Sequence, residues 1–156
     1  MGGITENGRD LAEKYSSCAY QLLAHCPKLY PASTGIAPTT VAGHASADTW
    51  GNYVDILPAA TIDADTSQTH FFIEELDIFG LTNNSRLYFE FQYNSVTVGR
   101  GHLYSQGTGT NSRRGGSFNT IAIKKVTGQA LKMRIMSDQA GESVDVGPLH
   151  WCEGVP

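Results

Sequence analysis

The chain has 156 residues and a formal net charge of −4, with 40% hydrophobic and 17% charged residues. This length suits one domain with a genuine core, and the acidic balance argues against a general nucleic-acid binder, which normally carries a basic face. We expect no membrane association, because no apolar run approaches the roughly 18 residues of a membrane span and the N-terminus lacks the basic and apolar regions of a signal peptide.

The first predicted element is a helix near residues 8–25. Leu11, Tyr15 and Leu22 recur at helical spacing, polar residues occupy the other side, and Pro27 forces an end. Such a helix either caps its own sheet or packs as an arm on a neighbouring subunit. Both interpretations stay open at this point.

The next segment, residues 27–49, is a connector rich in proline and small residues, which predicts an extended chain laid over a surface. An apolar segment of this size is a liability on a monomer and useful in an assembly. We therefore predict two units, an N-terminal helix and docking arm at 1–45 and a β domain at 46–156. The residues predicted to contact a neighbouring subunit in the arm are Leu11, Tyr15, Leu22, Leu29 and Tyr30.

From Trp50 onward, apolar and polar residues alternate in short runs separated by turn signals, which is typical of strands. The candidate strands are Trp50–Leu57, Thr69–Phe79, Arg86–Tyr93, Val96–Tyr104, Ser117–Val126, Leu131–Met136, Ser143–Val146 and Leu149–Cys152. This spacing predicts a mainly β fold, an antiparallel, jelly-roll-like β-sandwich. The alternation slips at Gly99 and Gly101, which predicts a β-bulge. The predicted core residues are Leu87, Phe89, Phe91, Ile121, Ile123, Leu131, Met133 and Ile135.

A polar loop, Ser105–Ser117, interrupts the strands and is long for a simple hairpin connection. It lacks the lysine of a phosphate-binding loop, and a strand rather than a helix follows it. Arg113 and Arg114 at its tip can bind carboxylates bidentately. We expect these two arginines to contact an acidic patch on a partner, with a mobile hairpin tip as the alternative.

The cysteines indicate free thiols. There are three, an odd number, and Cys18 and Cys26 lie eight residues apart on the predicted helix, about 12 Å at 1.5 Å per residue, which is too far for a disulfide. Synthesis in a reducing cytoplasm is the better interpretation.

Neither the acidic residues nor the five histidines form a recognisable reaction centre. No histidine has the spacing of a zinc site. Asp63, Asp65, Ser67 and Glu74 match four positions of a calcium loop, but the glycine of that loop and its flanking helices are missing, so we interpret the segment as a turn leading into a strand. Glu74 and the adjacent Glu75 would face opposite sides of a regular strand and could not cooperate as acid and base. We predict no enzyme, no cofactor and no metal.

The order of segments from Cys26 onward resembles that of small β-sandwich virion proteins of tailed bacteriophages, over residues 25–152. The likeness rests on HCPKLYP, DILPAATI, SQTHFFIEELDI, NNSRLYFEFQYN, VTVGRGHLY and KMRIMSD. It implies a structural protein located in the virion and made in the host bacterial cytoplasm, first of all a capsid decoration or cement protein. Its expected partners are the major capsid protein, other virion subunits and further copies of itself.

Two other functions stay open. The same resemblance covers a head–tail connector or a tail or adhesin component. A carbohydrate-binding β-sandwich module would bind a host glycan through strand aromatics such as Tyr88, Tyr104, Trp50 and Trp151. The free cysteines and the absence of a recognisable signal peptide favour the virion protein.

Overall fold

In the computed structural model of this protein, the described residues are 28–31, 38–81, 84–104, 114–117 and 122–154. All strand pairings among them are antiparallel, so the described part of the chain is mainly β, as the alternation predicts. The elements are β1 (Lys28–Tyr30), β2 (Thr39–Ala42), β3 (Val54–Leu57), α1 (Ala59–Ile62), β4 (His70–Phe79), β5 (Arg86–Tyr93), β6 (Val96–Tyr104), β7 (Arg114–Ser117), β8 (Ile123–Lys124), β9 (Leu131–Ser137) and β10 (Ser143–Gly154).

The strands form two sheets. The four-stranded sheet has the order β3-β9-β5-β6, so that β5 lies inside it and β6 at its edge. In the six-stranded sheet, β10 and β4 pair along their length, β1 and β2 both pair with β10, and β7 and β8 both pair with β4. The long strands β4 and β10 therefore form the centre of this sheet.

The predicted strand bounds agree with the structure best where the alternation is regular. Strands β5 and β6 have the predicted bounds, and β4 and β9 differ from prediction by a single residue. The predicted Ser117–Val126 strand is not one element in its described part, because Ser117 ends β7, Ile123–Lys124 forms β8, and Lys125 and Val126 lie in no strand; residues 118–121 lie outside the described residues. The last two predicted strands are one continuous β10, which passes through an irregularity between Val146 and Leu149 at Gly147-Pro148. Proline has no N–H to donate to a ladder and is therefore found at such bulges.

Part of the predicted connector joins the six-stranded sheet. Lys28–Tyr30 pairs with Leu149–Trp151, and Thr39–Ala42 pairs with Ser143–Val146. Sequence alternation could not show this, because three- and four-residue strands give too short a pattern. The predicted helix near residues 8–25 lies outside the described residues, and the division of the chain at residue 45 stays a prediction.

Both sheets contribute to one core. Phe71 of β4 meets Tyr93 of β5 edge to face, with ring centroids 5.1 Å apart, and Phe71 also meets Trp151 of β10 at 6.4 Å. The single turn of α1 follows Pro58 and buries Ile62 in the same cluster. The predicted core residues that the structure describes are all buried, and Ile121 lies outside the described residues; those confirmed are Leu87, Phe89, Phe91, Ile123, Leu131, Met133 and Ile135.

The two glycines of β6 make room for the rings of β5. Phe89 lies directly opposite Gly101 and Phe91 opposite Gly99, and the two rings pack edge to face with centroids 5.5 Å apart. A Cβ atom at Gly101 would overlap the Phe89 ring, whereas one at Gly99 would meet Phe91 at an ordinary 3.4 Å. The register of β5 and β6 shifts between Phe91, which pairs with Gly99, and Gln92, which pairs with Thr97. The predicted bulge therefore lies next to Gly99.

We expect Gly101→Ala to destabilise the protein, because the added methyl group forces the buried Phe89 ring out of position. Overpacking of this kind costs about 1–3 kcal/mol. Gly99→Ala is the matched control, since its methyl group fits, and it should change stability by less than about 0.5 kcal/mol. Urea unfolding of both variants tests the difference, and equal midpoints would show that the Phe89 ring does not depend on Gly101.

Candidate interaction surface

A carboxylate at the centre of the four-stranded sheet organises its outer side. Glu90 of β5 lies directly opposite Arg100 of β6 and Arg134 of β9 in the two strand registers. Its Oε2 accepts a hydrogen bond from Arg100 Nε at 2.7 Å, and its Oε1 accepts one from Arg134 Nη2 at 2.8 Å. Although Glu90 points away from the core, it is only 1% exposed. The predicted inward direction of Phe89 and Phe91 implies that Glu90 between them points outward, but its burial arises from neighbours on other strands.

Two hydroxyl groups complete the surroundings of this carboxylate. Tyr53 Oη donates a hydrogen bond to Glu90, and Thr97 Oγ1 donates one at 3.2 Å. Burial by itself raises the pKa of Glu90, but the hydrogen bonds from Tyr53, Arg100 and Arg134 outweigh it and hold the pKa at about 2. Glu90 is therefore ionised at neutral pH, and the cluster is a fixed array of one negative and two positive charges.

Aromatic rings hold Arg134 in place. Its guanidinium lies 4.8 Å from the centroid of the Trp50 ring and 4.5 Å from that of Tyr53, which is cation–π geometry. The segment that carries both rings is anchored to β9, because Gly51 N donates to Ile135 O at 2.8 Å and Asp48 N donates to Ser137 O at 2.8 Å. The cation–π contacts therefore join two segments: the chain before β3 supplies the two rings, and β9 supplies Arg134.

The rest of this side is polar, aromatic and solvent-accessible. The Arg100 side chain is 70% exposed, Tyr104 is 56% exposed, and Tyr88 lies beside His102 with ring centroids 6.2 Å apart. Tyrosine, tryptophan and arginine are the side chains enriched at protein interfaces and at their energetic centres. We call this side of the sheet the Glu90 face; its members are Trp50, Tyr53, Asp55, Arg86, Tyr88, Glu90, Gln92, Thr97, Arg100, His102, Tyr104, Lys132, Arg134 and Met136.

The predicted contact residues that the structure describes lie outside the Glu90 face. Leu29 is 43% exposed on β1, while Tyr30 packs partly buried against the core, and the backbone of Arg114 opens β7 opposite Ile78. Leu11, Tyr15, Leu22 and Arg113 lie outside the described residues, and the predicted contacts stay predictions. Sequence reasoning did not single out the Glu90 cluster, because opposite charges ten and 44 residues apart become neighbours only through strand register.

The segment that partly matches a calcium-binding loop begins as a polar turn. Asp65 Oδ1 accepts from Ser67 N at 2.9 Å, and Asp63 Oδ2 accepts from Gly128 N at 2.7 Å, so both carboxylates bind nearby backbone amides. Glu74 lies in β4 at a register irregularity between Ile73 and Glu75. Within the described residues, no group of three or more His, Cys, Asp and Glu side chains could hold a metal ion.

The irregularity at Glu74 corrects one expectation. Ile73 pairs with Trp151 and Glu75 pairs with His150, so Glu74 is an extra residue on β4 and neither glutamate enters the core. The expectation that the two glutamates face opposite sides assumed a regular strand and is wrong. Glu74 instead contacts the thiol of Cys152. Burial and this neighbouring carboxylate raise the pKa of the Cys152 thiol to about 12, so the free thiol is protonated and unreactive at neutral pH.

A buried carboxylate also forms ion pairs at one end of the six-stranded sheet. Glu153 forms ion pairs with Lys28 of β1 and with Lys125, whose Nζ also donates to Asp65 O at 2.8 Å. Lys28 Nζ lies 5.0 Å from the centroid of the Trp151 ring. Because Lys28 and Lys125 are both paired with Glu153, we interpret these three residues, the Glu153 cluster, as a structural ion-pair network that stabilises the fold.

Comparison with known proteins adds little. No protein-family model matches the sequence, and no curated protein matches it. Among solved structures, the chain is similar to "Structure of Eiger TNF from S. frugiperda", with 7% identity, 78% of this chain and 94% of that chain covered, and a TM-score of 0.34. A TM-score this low carries no argument. Among the residues that the structure describes, no helix has the length and apolar character needed to cross a bilayer.

We expect Glu90→Gln to lower the free energy of unfolding at pH 7 by about 2 kcal/mol, since it leaves Arg134 partly buried without its counter-charge. Because the pKa of Glu90 is lower in the folded state than its ordinary 4.5, its contribution is complete above about pH 4.5 and is lost towards pH 2. The gap between wild type and variant in urea unfolding should therefore narrow over that pH range. Glu75→Gln, at an exposed position, is the control. A difference in unfolding free energy between wild type and Glu90→Gln that stays constant with pH would contradict the lowered pKa of Glu90.

Proposed function

We propose that this protein is a structural virion protein of a tailed bacteriophage, a capsid decoration or cement protein that binds neighbouring virion subunits through the Glu90 face. The observation that carries the proposal is the composition of that face, with Arg134 in cation–π contact with two rings and Arg100 and Tyr104 presented to solvent. The resemblance of residues 25–152 to tailed-phage virion proteins supplies the virion context. A jelly-roll-like sandwich with an N-terminal helix is the corresponding fold.

The Glu90 face suits a permanent protein contact because its central groups are already ordered. Side chains that must be immobilised on binding cost affinity, and internal hydrogen bonds remove much of that cost. Arg100 is fixed through Nε to Glu90, and Arg134 is fixed by the same carboxylate and by two rings. The face therefore offers prepositioned guanidinium and phenol groups to a partner.

In this proposal the arm at residues 1–45 adds a second contact with a neighbouring subunit, and Arg113 and Arg114 bind an acidic patch on a virion partner. Leu29 supports the first part, since it presents an apolar side chain to solvent at the start of the described arm. Two separate contacts per subunit would raise the avidity of binding to a repeated lattice.

A carbohydrate-binding module is the second candidate, and one observation favours it. Trp50, Tyr88 and Tyr104 lie on the same face of one sheet, where aromatic rings could stack on sugar rings. Trp151, the fourth aromatic considered for such a site, is buried in the core instead. A glycan-binding tail or adhesin component would combine this activity with virion localisation.

The proposal predicts that the protein is present in purified phage particles at a stoichiometric copy number and that Tyr104→Ser reduces its incorporation several-fold. Quantitative mass spectrometry of particles assembled with wild type or variant measures both. Val96→Ser is the matched control, because Val96 is 61% exposed on the same strand but lies opposite Tyr93, outside the Glu90 face.

Absence of the protein from particles would refute the virion role. Glycan-array binding by the purified protein, lost in Tyr104→Ser, together with normal incorporation of that variant, would instead support the carbohydrate-binding function of the face.

A further inference from the structure

We propose that copies of this protein associate head to tail, with the Glu90 face of one copy stacked on the outer side of the six-stranded sheet of the next. The proposal concerns self-association of the purified chain, so it does not depend on the virion role. It rests on a separation of charge between the outer sides of the two sheets.

The outer side of β4 and β10, the two central strands of the six-stranded sheet, is acidic. Asp77 lies between the buried Leu76 and Ile78 and therefore points away from the core. Glu74, Glu75 and Asp145 lie on the same outer side, and neither β4 nor β10 contains a lysine or an arginine. We call this side the acidic face; Lys124 of β8 lies at its far end, opposite His70.

The Glu90 face carries the opposite charge. Its cationic side chains outnumber its carboxylates by four to two; the cations are Arg86, Arg100, Lys132 and Arg134, and the carboxylates are Asp55 and Glu90. This excess of positive charge occurs in a chain whose formal net charge is −4. Arg100 is bonded to Glu90 through Nε, which leaves its terminal nitrogens to meet a carboxylate from another molecule.

The arrangement selects one geometry of self-association. A two-fold dimer would place one of these faces against a second copy of itself, so two surfaces of the same net charge would meet, and like net charges oppose association. Stacking the Glu90 face on the acidic face pairs unlike charges at every repeat. Such a heterologous contact extends into a ring or a filament rather than stopping at a dimer.

The contact should be individually weak and sensitive to salt, because exposed ion pairs are screened. We therefore expect the purified protein to form reversible oligomers at high concentration and low salt, and to return to monomers in about 1 M salt, where the Debye length is about 3 Å. Sedimentation velocity at several protein concentrations measures both.

Two double variants test the geometry. Arg86→Glu with Arg100→Gln leaves the Glu90 face with two cations against three carboxylates and so removes its net positive charge, while it keeps a hydrogen-bond donor near Glu90. Glu75→Lys with Asp77→Asn removes most of the charge of the acidic face. Each variant alone should be monomeric, with association weakened at least about tenfold. An equimolar mixture should form heterodimers that do not grow further, because each variant retains one intact face.

A control variant, Gln139→Glu with Ala140→Glu, adds negative charge in an exposed turn outside both faces and should associate like the wild type. Unfolding midpoints check that all variants are folded. Where a double variant is not, Arg86→Glu alone replaces it for the Glu90 face and Glu75→Lys alone for the acidic face. A monomeric wild type at low salt, unchanged association of either double variant, or a mixture that stays monomeric would each overturn the proposal. Oligomers that persist in high salt would do so too.

Discussion

The desolvated carboxylate of Glu90 is the constraint on which the four-stranded sheet depends. A buried carboxylate is tolerated only when charges and hydrogen-bond donors surround it, so β6 and β9 must bring Arg100 and Arg134 directly opposite β5. A slip of one residue would turn Glu90 into the core and separate it from both arginines. The same register places Phe89 over Gly101 on the inner side. The polar side and the apolar side of β5 therefore both require the same register of β5 with its neighbouring strands.

The six-stranded sheet meets a similar constraint in another way. Glu153 lies at the end of β10 and is paired with Lys28 from the start of the described chain and with Lys125 from the segment after β8. These pairs join segments that are distant in sequence at one end of the core. Each sheet thus contains a buried carboxylate, Glu90 or Glu153, that is paired with two basic side chains.

The exposed charged side chains differ in net sign between the two sheets. With only 17% charged residues, the chain has few to place, yet β4 carries acidic residues outward while β6 and β9 carry basic ones. Both proposals use this property: an ordered cationic and aromatic face suits a protein partner, and an acidic face on the opposite sheet suits a second copy. In each case the fold supplies rigidity and the outward residues supply the chemistry.

The sequence by itself determined the elements in which alternation is regular and the residues that fill the core. Strands β5 and β6 were predicted with their bounds, as was the inward phase of Leu87, Phe89 and Phe91, because side-chain direction along a strand has a period of two. The short strands β1 and β2, the bulge at Glu74 and the Glu90 cluster were decided only by the tertiary structure. Each depends on which strands become neighbours and in what register, and that information is absent from any single stretch of sequence.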